Sequence, residues 1–303
     1  MTTQMVASAG VHLNVRSSGL ADGSTVLLVH GFPDTQDVWG SVVPLLEPHF
    51  HVVTYDVRGA GGSSAPDSRK GYRMNRLVDD IAAVIERVRP DGGPVHLVGH
   101  DLGATQLWGA VAREGTDARL SGRIASFTSI SCPSLELAGH FISSGLRNRE
   151  FGKLVKQASR SWYVLMFQFP FLPEFAFRRF GCRIRQSLTR RQHLEGSAHW
   201  AETFAADGGN GVNLYRANGL EFSRSTTKIP VQVIVPTKDT FLIPALYDDV
   251  GEFATDVRRI DIVAGHWVIR THPGIVAEKV ATFVDEHRVD EHRIDEDRVD
   301  EDR

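Results

Sequence analysis

The sequence predicts an α/β fold: a mostly parallel central sheet flanked by helices, with a helical cap inserted late in the sheet. Three observations carry this. Through the first 130 residues, apolar β-rich runs alternate with segments of helical periodicity. At about residue 134 the alternation gives way to a helical stretch rich in aromatics and arginine, and it resumes near 223. The polar residues that could do chemistry fall directly after the apolar runs, where open α/β sheets bind ligands.

The elements follow in order. "VHLNVR" (11–16) alternates apolar and polar like a half-buried strand, and "TVLLV" (25–29) and "HVVTYD" (51–56) are β-rich runs ending at turn formers. "MNRLVDDIAAVIERVR" (74–89) spaces Leu77, Ile81, Val84, Ile85 and Val88 as a helix does. "PVHLVG" predicts a strand, a helix starts from Ala104, and "RIASFTSIS" (123–131) is the next strand. After the cap come "VQVIVP" (231–236), a helix near 244–253, "VRRIDIVA" (257–264) and a helix from Pro273. The expected domains are a core of 1–133 and 223–285, a cap of 134–222, and a charged repeat tail of 286–303.

Composition narrows the function. The 303 residues, 42% hydrophobic, suffice for one large core with an insertion. Net charge is −3, but from Val284 the chain holds ten acids and four arginines in five-residue repeats, so the remainder is near +3 and gives no nucleic-acid signature. Apolar residues every fifth position make no continuous helical face, so the tail reads as a fraying, solvated extension of the last helix. Cys132 and Cys182 form neither a disulfide framework nor a metal pattern and read as free thiols. The N-terminus lacks a signal peptide's basic flank and apolar run, which points to the cytoplasm. "WYVLMFQFPFLPEFAFRRF" (162–180) is apolar, but its two prolines and Glu174 exclude a membrane span; an apolar lid fits better, with peripheral membrane contact left open.

The most informative stretch is "VGHDLGA" (98–104). A Gly-x-x-x-Gly between a strand and a helix is the pattern of a nucleophile elbow, whose central residue is normally serine and here is Asp101. A carboxylate attacks carbonyls poorly but displaces a leaving group at saturated carbon, giving an ester of the enzyme. Water must then attack that ester, which calls for a general base, an acid to orient it, and two N–H groups to hold the oxyanion. "AGHW" supplies His266 after a strand, and "PTKDTFLIP" supplies Asp239 after another. "HGFPD" (30–34) places the Phe32 N–H so that, with that of Leu102, it forms an oxyanion hole. None of this chemistry requires a cofactor or a metal. Asp34 is a candidate either to anchor the oxyanion loop or to touch the triad, His30 and His100 are structural or supporting residues, and Asp56 and Arg58 fix the "DVRGAGGSS" turn. Tyr55, Tyr72 and Tyr247 are structural.

Together, "HGFP", "DVRGAGGSS", "GHDLG", Asp239 and "AGHW" resemble the α/β-hydrolase superfamily over residues 10–285, and within it the epoxide hydrolases. That resemblance implies the α/β-hydrolase fold and hydrolysis of an epoxide to a vicinal diol, with a small-molecule epoxide and water as the only reactants. It also implies two cap tyrosines above the nucleophile: "SWYVLMFQ" matches one at Tyr163 and "NLYRAN" the other at Tyr215. Two phenols would donate hydrogen bonds, then a proton, to the oxygen of the opening ring. "RIASFTSISCPS" is similar to the mycobacterial epoxide hydrolase D type, in which a dehydrogenase domain follows; the expectation here is a hydrolase without that partner on the same chain. The apolar cap run points to a hydrophobic or lipid-like epoxide. A homodimer is compatible with the sequence.

Two readings compete. A dehalogenase uses the same Asp, His and acid, but Leu102 supplies neither the Trp nor the Arg that dehalogenases place after the nucleophile; Trp162 or Trp267 is left as a halide donor. A catalytically silent ligand-binding protein of the same fold is the other.

Overall fold

The computed structural model describes residues 1–194, 200–220 and 225–288. A hairpin opens the chain: β1 (Thr2–Ser8) pairs antiparallel with β2 (Val11–Gly19) through Ala9 and Gly10, both at positive φ. Next come β3 (Thr25–Val29), the short helix α1 (Val43–Leu46), β4 (His51–Tyr55), α2 (Met74–Val88), β5 (Val95–His100), α3 (Leu102–Val111) and β6 (Ile124–Ile130). The helical excursion holds α4 (Leu135–Arg147), α5 (Phe151–Arg160), α6 (Trp162–Phe167), α7 (Leu172–Arg191) and α8 (Phe204–Ala217). β7 (Val231–Pro236), β8 (Val257–Ile262), α9 (Val268–Thr271) and α10 (Pro273–Glu286) complete the described chain. The repeat tail lies outside the described residues beyond Arg288.

The eight strands form one sheet in the order β1-β2-β4-β3-β5-β6-β7-β8, with β2 antiparallel to both its neighbours, β1 and β4, and the other pairs parallel. β3 is completely buried because both faces are covered, which is why its sequence is continuously apolar rather than alternating. Its side chains still alternate between two cores. Leu27 and Val29 join α2 and α3 on one face, while Val26 and Leu28 join Trp39, Phe50 and α10 on the other. Each such buried Leu or Val contributes ~1.5–3 kcal/mol. At the edge, β8 exposes Arg258, Arg259 and Asp261, charges that discourage pairing with another strand.

Two expectations need correction. No helix spans 244–253: two 3₁₀ turns, Pro244–Tyr247 and Val250–Glu252, occupy it. Asp248, Asp249 and Gly251, all weak helix formers, interrupt the segment while Leu246, Tyr247, Val250 and Phe253 anchor it to the core. Helix α3 also begins at Leu102 rather than Ala104, directly after Asp101.

What matters for the site is strand order. β3 lies between β4 and β5, so the chain leaves β3 on opposite sides in its two halves, a topological switch point. The loops after β3 and β5 open into the crevice there, and they carry Phe32 and Asp101.

Candidate active site

Asp101 sits at φ 51°, ψ −131° between β5 and α3, a conformation that costs a non-glycine residue ~1–3 kcal/mol. Its glycines make the turn feasible. A Cβ on Gly99 would lie 2.5 Å from the Ala104 Cα, and one on Gly103 would lie 2.3 Å from the Val29 carbonyl oxygen. Gly31 is needed for the same reason, since a Cβ there would come within 2.4 Å of Asp101 Oδ2.

The carboxylate is held from two sides. The Phe32 N–H donates to Asp101 Oδ2 at 2.8 Å, and the neighbouring Leu102 N–H favours the charged form of the carboxylate. Oδ1 faces His266 Nε2 at 3.4 Å. On the other side of the ring, His266 Nδ1 donates to Asp239 Oδ2 at 2.7 Å, while Asp239 Oδ1 accepts the N–H groups of Phe241 and Leu242. The His266 carbonyl is fixed as well, accepting from His100 Nε2 at 3.0 Å and Ser131 Oγ at 2.9 Å. All three titratable residues are buried.

Their charges follow from this geometry. Burial works to lower the His266 pKa, but the Asp239 charge and hydrogen bonds to both carboxylates outweigh it and raise the imidazole to about 10. For Asp101, burial works upward, but the hydrogen bond and charge of His266, with the Leu102 N–H, bring the pKa below its ordinary value. The resting pair is therefore carboxylate and imidazolium. Burial holds His100 neutral, its pKa lowered to about 4.

Across the cavity, Tyr163 from α6 and Tyr215 from α8 meet edge to face, ring centroids 6.1 Å apart. Burial, then the nearby Asp101 charge among other groups, raises the Tyr163 pKa; burial and its neighbours, Tyr163 first, raise that of Tyr215, so both phenols stay protonated donors. Asp101, His266, Phe32 and the two tyrosines line one cavity of about 760 Å³, whose other walls include Met166, Phe167, Phe177, Ile184, Leu188, Phe241 and Trp267. The seven residues singled out from the sequence thus lie together, with Asp239 behind the His266 ring and Leu102 beneath the carboxylate.

The supporting residues separate in the same way. His30 Nε2 accepts the Val57 N–H, and Asp34 Oδ2 accepts the Trp267 indole N–H at 2.8 Å. Asp56 ties the glycine turn through the Gly62 N–H, and Arg58 is buried in a two-point pair with Asp80. Cys132 and Cys182 are free. Tyr55, Tyr72 and Tyr247 are buried in the core.

Sequence reasoning missed the residues that fasten the helical excursion to this site. Arg160 donates to the Asp239 and Leu242 carbonyls, at 2.6 and 3.0 Å, and Gln157 brackets Phe241 and Ile243. Asp207 accepts the Gly61 N–H, and Asn210 donates to the Gly59 carbonyl. Arg216, next to Tyr215, pairs with Glu174 and donates to the Phe167 and Phe169 carbonyls. Its place in "NLYRAN" was the only signal; the others belong to no motif.

A doubly wound sheet with a strained acidic elbow at its switch point, a late histidine and an acid after β7 defines an α/β hydrolase. The chain belongs to the alpha/beta hydrolase family, whose sequence profile matches residues 26–279. It is 36% identical over 293 residues to probable oxidoreductase EphD of Mycobacterium tuberculosis, covering 91% of this chain and 48% of that one. The chain thus spans about half the length of these first relatives. It is 26% identical to epoxide hydrolase A of M. tuberculosis, covering 93% of this chain and 97% of that protein. Among solved structures it shares its fold with an inhibitor complex of Bacillus megaterium epoxide hydrolase (TM-score 0.77, 22% identity, 93% and 100% of the two chains). Epoxide hydrolase A of Mycobacterium thermoresistibile is similar (TM-score 0.74, 22% identity, 95% and 99%).

Proposed function

We propose that this chain hydrolyses an epoxide to a vicinal diol through an ester on Asp101. The observation that carries the reading is the division of labour at one carboxylate in the cavity wall: Oδ2 rests on the Phe32 amide while Oδ1 faces His266. The relatives and solved structures named epoxide hydrolases support it.

In the first step Asp101 Oδ1 bonds to an epoxide carbon, the ring C–O bond breaks with its electron pair going to oxygen, and a phenol of Tyr163 or Tyr215 protonates that oxygen. The ester removes the Asp101 charge and with it one of the two anions that raise the His266 pKa. His266 gives up its proton to the tyrosinate and becomes a base as water must be activated. Water then attacks the ester carbonyl, losing a proton to His266 Nε2, and the Phe32 and Leu102 amides hold the oxyanion. Collapse breaks the bond between the ester carbon and the alkyl oxygen, which takes up the second proton of the added water, so the diol leaves and the carboxylate–imidazolium pair is restored. The helices between β6 and β7 act as a cap that carries both phenols and excludes water.

The aromatic and aliphatic walls support a hydrophobic or lipid-like substrate. The dehalogenase reading is weakened, because Leu102 offers no side-chain donor and the Trp267 N–H is occupied by Asp34. Incubation with a styrene-type epoxide, a long-chain fatty epoxide and a haloalkane tests the reading. Diol from the epoxides, the fatty one preferred, and no halide is the expected result; halide without diol would reassign the site.

A further inference from the structure

The cap's outer surface is unlike the rest of the molecule. Seven large apolar side chains between Trp162 and Phe180 are exposed, including Leu165 at 73%, Phe169 at 60%, Phe171 at 82% and Phe175 at 58%. Phe171, between α6 and α7, holds φ at 63°, so the turn presents an aromatic ring to solvent at a backbone conformation unfavourable for it. The same region is strongly basic. Residues 151–191 contain nine lysines and arginines and one acid, Glu174, which Arg216 neutralises, in a chain whose net charge is −3. Arg178, Arg179 and Arg183 are exposed beside the phenylalanines, and the Arg179 and Arg183 guanidinium groups lie 5.4 and 6.0 Å from the Phe180 ring centre.

From the juxtaposition of exposed rings on and between α6 and α7 with α7 arginines that form no ion pair among the described residues, we propose that this face of the cap docks onto an anionic lipid bilayer. Monomers rarely leave so large an apolar patch uncovered, and apolar side chains interleaved with arginines are what an anionic interface accepts. A second copy is a poorer occupant, because a two-fold contact would set the basic segment against itself. Among the described residues no helix is long and apolar enough to cross a membrane, so the contact is peripheral. The same two helices line the cavity through Tyr163, Met166, Ile184 and Leu188, and Trp162 and Arg183 belong to both the exposed face and the cavity wall. A substrate dissolved in the bilayer therefore reaches Asp101 past α6 and α7. That last consequence rests on the epoxide reading; the docking does not.

The test is flotation with vesicles of phosphatidylcholine alone or mixed with phosphatidylglycerol, at low salt and at about 0.5 M salt, where surface charges are screened. The expected result is binding to the mixed vesicles that salt reduces. Phe171→Ser/Phe175→Ser and Arg178→Gln/Arg179→Gln should each weaken it at least about tenfold, with folding checked by circular dichroism. None of these four residues lines the cavity, so hydrolysis of a short soluble epoxide should be unchanged while that of a vesicle-borne one falls. Asp101→Asn should bind vesicles as the wild type does, which separates docking from catalysis. Failure to float with either composition would overturn the proposal. A concentration-dependent dimer that the phenylalanine variants dissociate, without vesicle binding, would overturn it in favour of a second copy.

Discussion

The Phe32 amide donates to Asp101 Oδ2 at 2.8 Å, so a carboxylate oxygen already occupies the position an oxyanion would take during ester hydrolysis. The two half-reactions proposed here need opposite things of Asp101: a free, ionised oxygen first, then a polarised ester carbonyl. Holding one oxygen on the Phe32 amide and leaving the other opposite His266 meets both without rearrangement. The first prediction concerns this packing. Gly103→Ala places a methyl against the Val29 and His30 carbonyls, so stability should fall by about 3 kcal/mol and turnover by more. Urea unfolding with parallel rate measurements checks it.

The phenols are the second. Tyr163→Phe and Tyr215→Phe keep the aromatic packing around Phe167 and remove one donor each. Each should lower kcat by ~10²–10³, by analogy with losing an oxyanion donor. Stability should change little, because the lost hydroxyls face the cavity. Equal rates for the double variant and the wild type would remove the tyrosines from the mechanism.

The third follows from charge. The folded His266 pKa is raised from 6.5 to about 10. Its stabilising contribution is thus complete below the unfolded value and is lost as pH rises toward the folded one. Asp101 has the opposite sign: its depressed pKa contributes above its ordinary 3.8 and is lost as pH falls through the folded value. The Tm difference between wild type and His266→Gln should be widest near about pH 6 and close toward about pH 10. A difference that grows with pH would mean the imidazole rests neutral.

The fourth addresses the halide alternative. Trp267→Phe leaves Asp34 Oδ2 without its indole donor in a buried position, which should cost ~1–3 kcal/mol of stability. Epoxide turnover should stay within a few-fold of wild type once the variant is folded. A selective loss of halide release, measured by ion chromatography, would instead identify this indole as a halide ligand.

Much of this was legible in the sequence, for reasons that are themselves physical. β3 and β7 match "TVLLV" and "VQVIVP" residue for residue, because buried parallel strands admit only apolar runs bounded by turns. Asp101 and Asp239 stood out because each follows such a run closely, and His266 because it follows the last strand, the charged edge strand β8. β1 went unread, since "TTQMVAS" alternates weakly and is held by its hairpin with β2. The 3₁₀ turns at 244–252 show core anchoring overriding a helical spacing. Arg160, Gln157 and Asp207 were invisible because they act on backbone groups far away in sequence, Asp239, Phe241 and Gly61, and such contacts need no motif.

The central claim is that Asp101, not water, bonds to the substrate carbon. A single turnover in ¹⁸O-labelled water, with enzyme in excess over epoxide, tests this directly by mass spectrometry of both the diol and the peptide containing Asp101. The expected result is an unlabelled diol and one heavy oxygen in the Asp101 carboxylate, with His266→Gln accumulating an alkyl ester at that residue. A labelled diol and an unlabelled Asp101 would show that water opens the ring itself, and would contradict it.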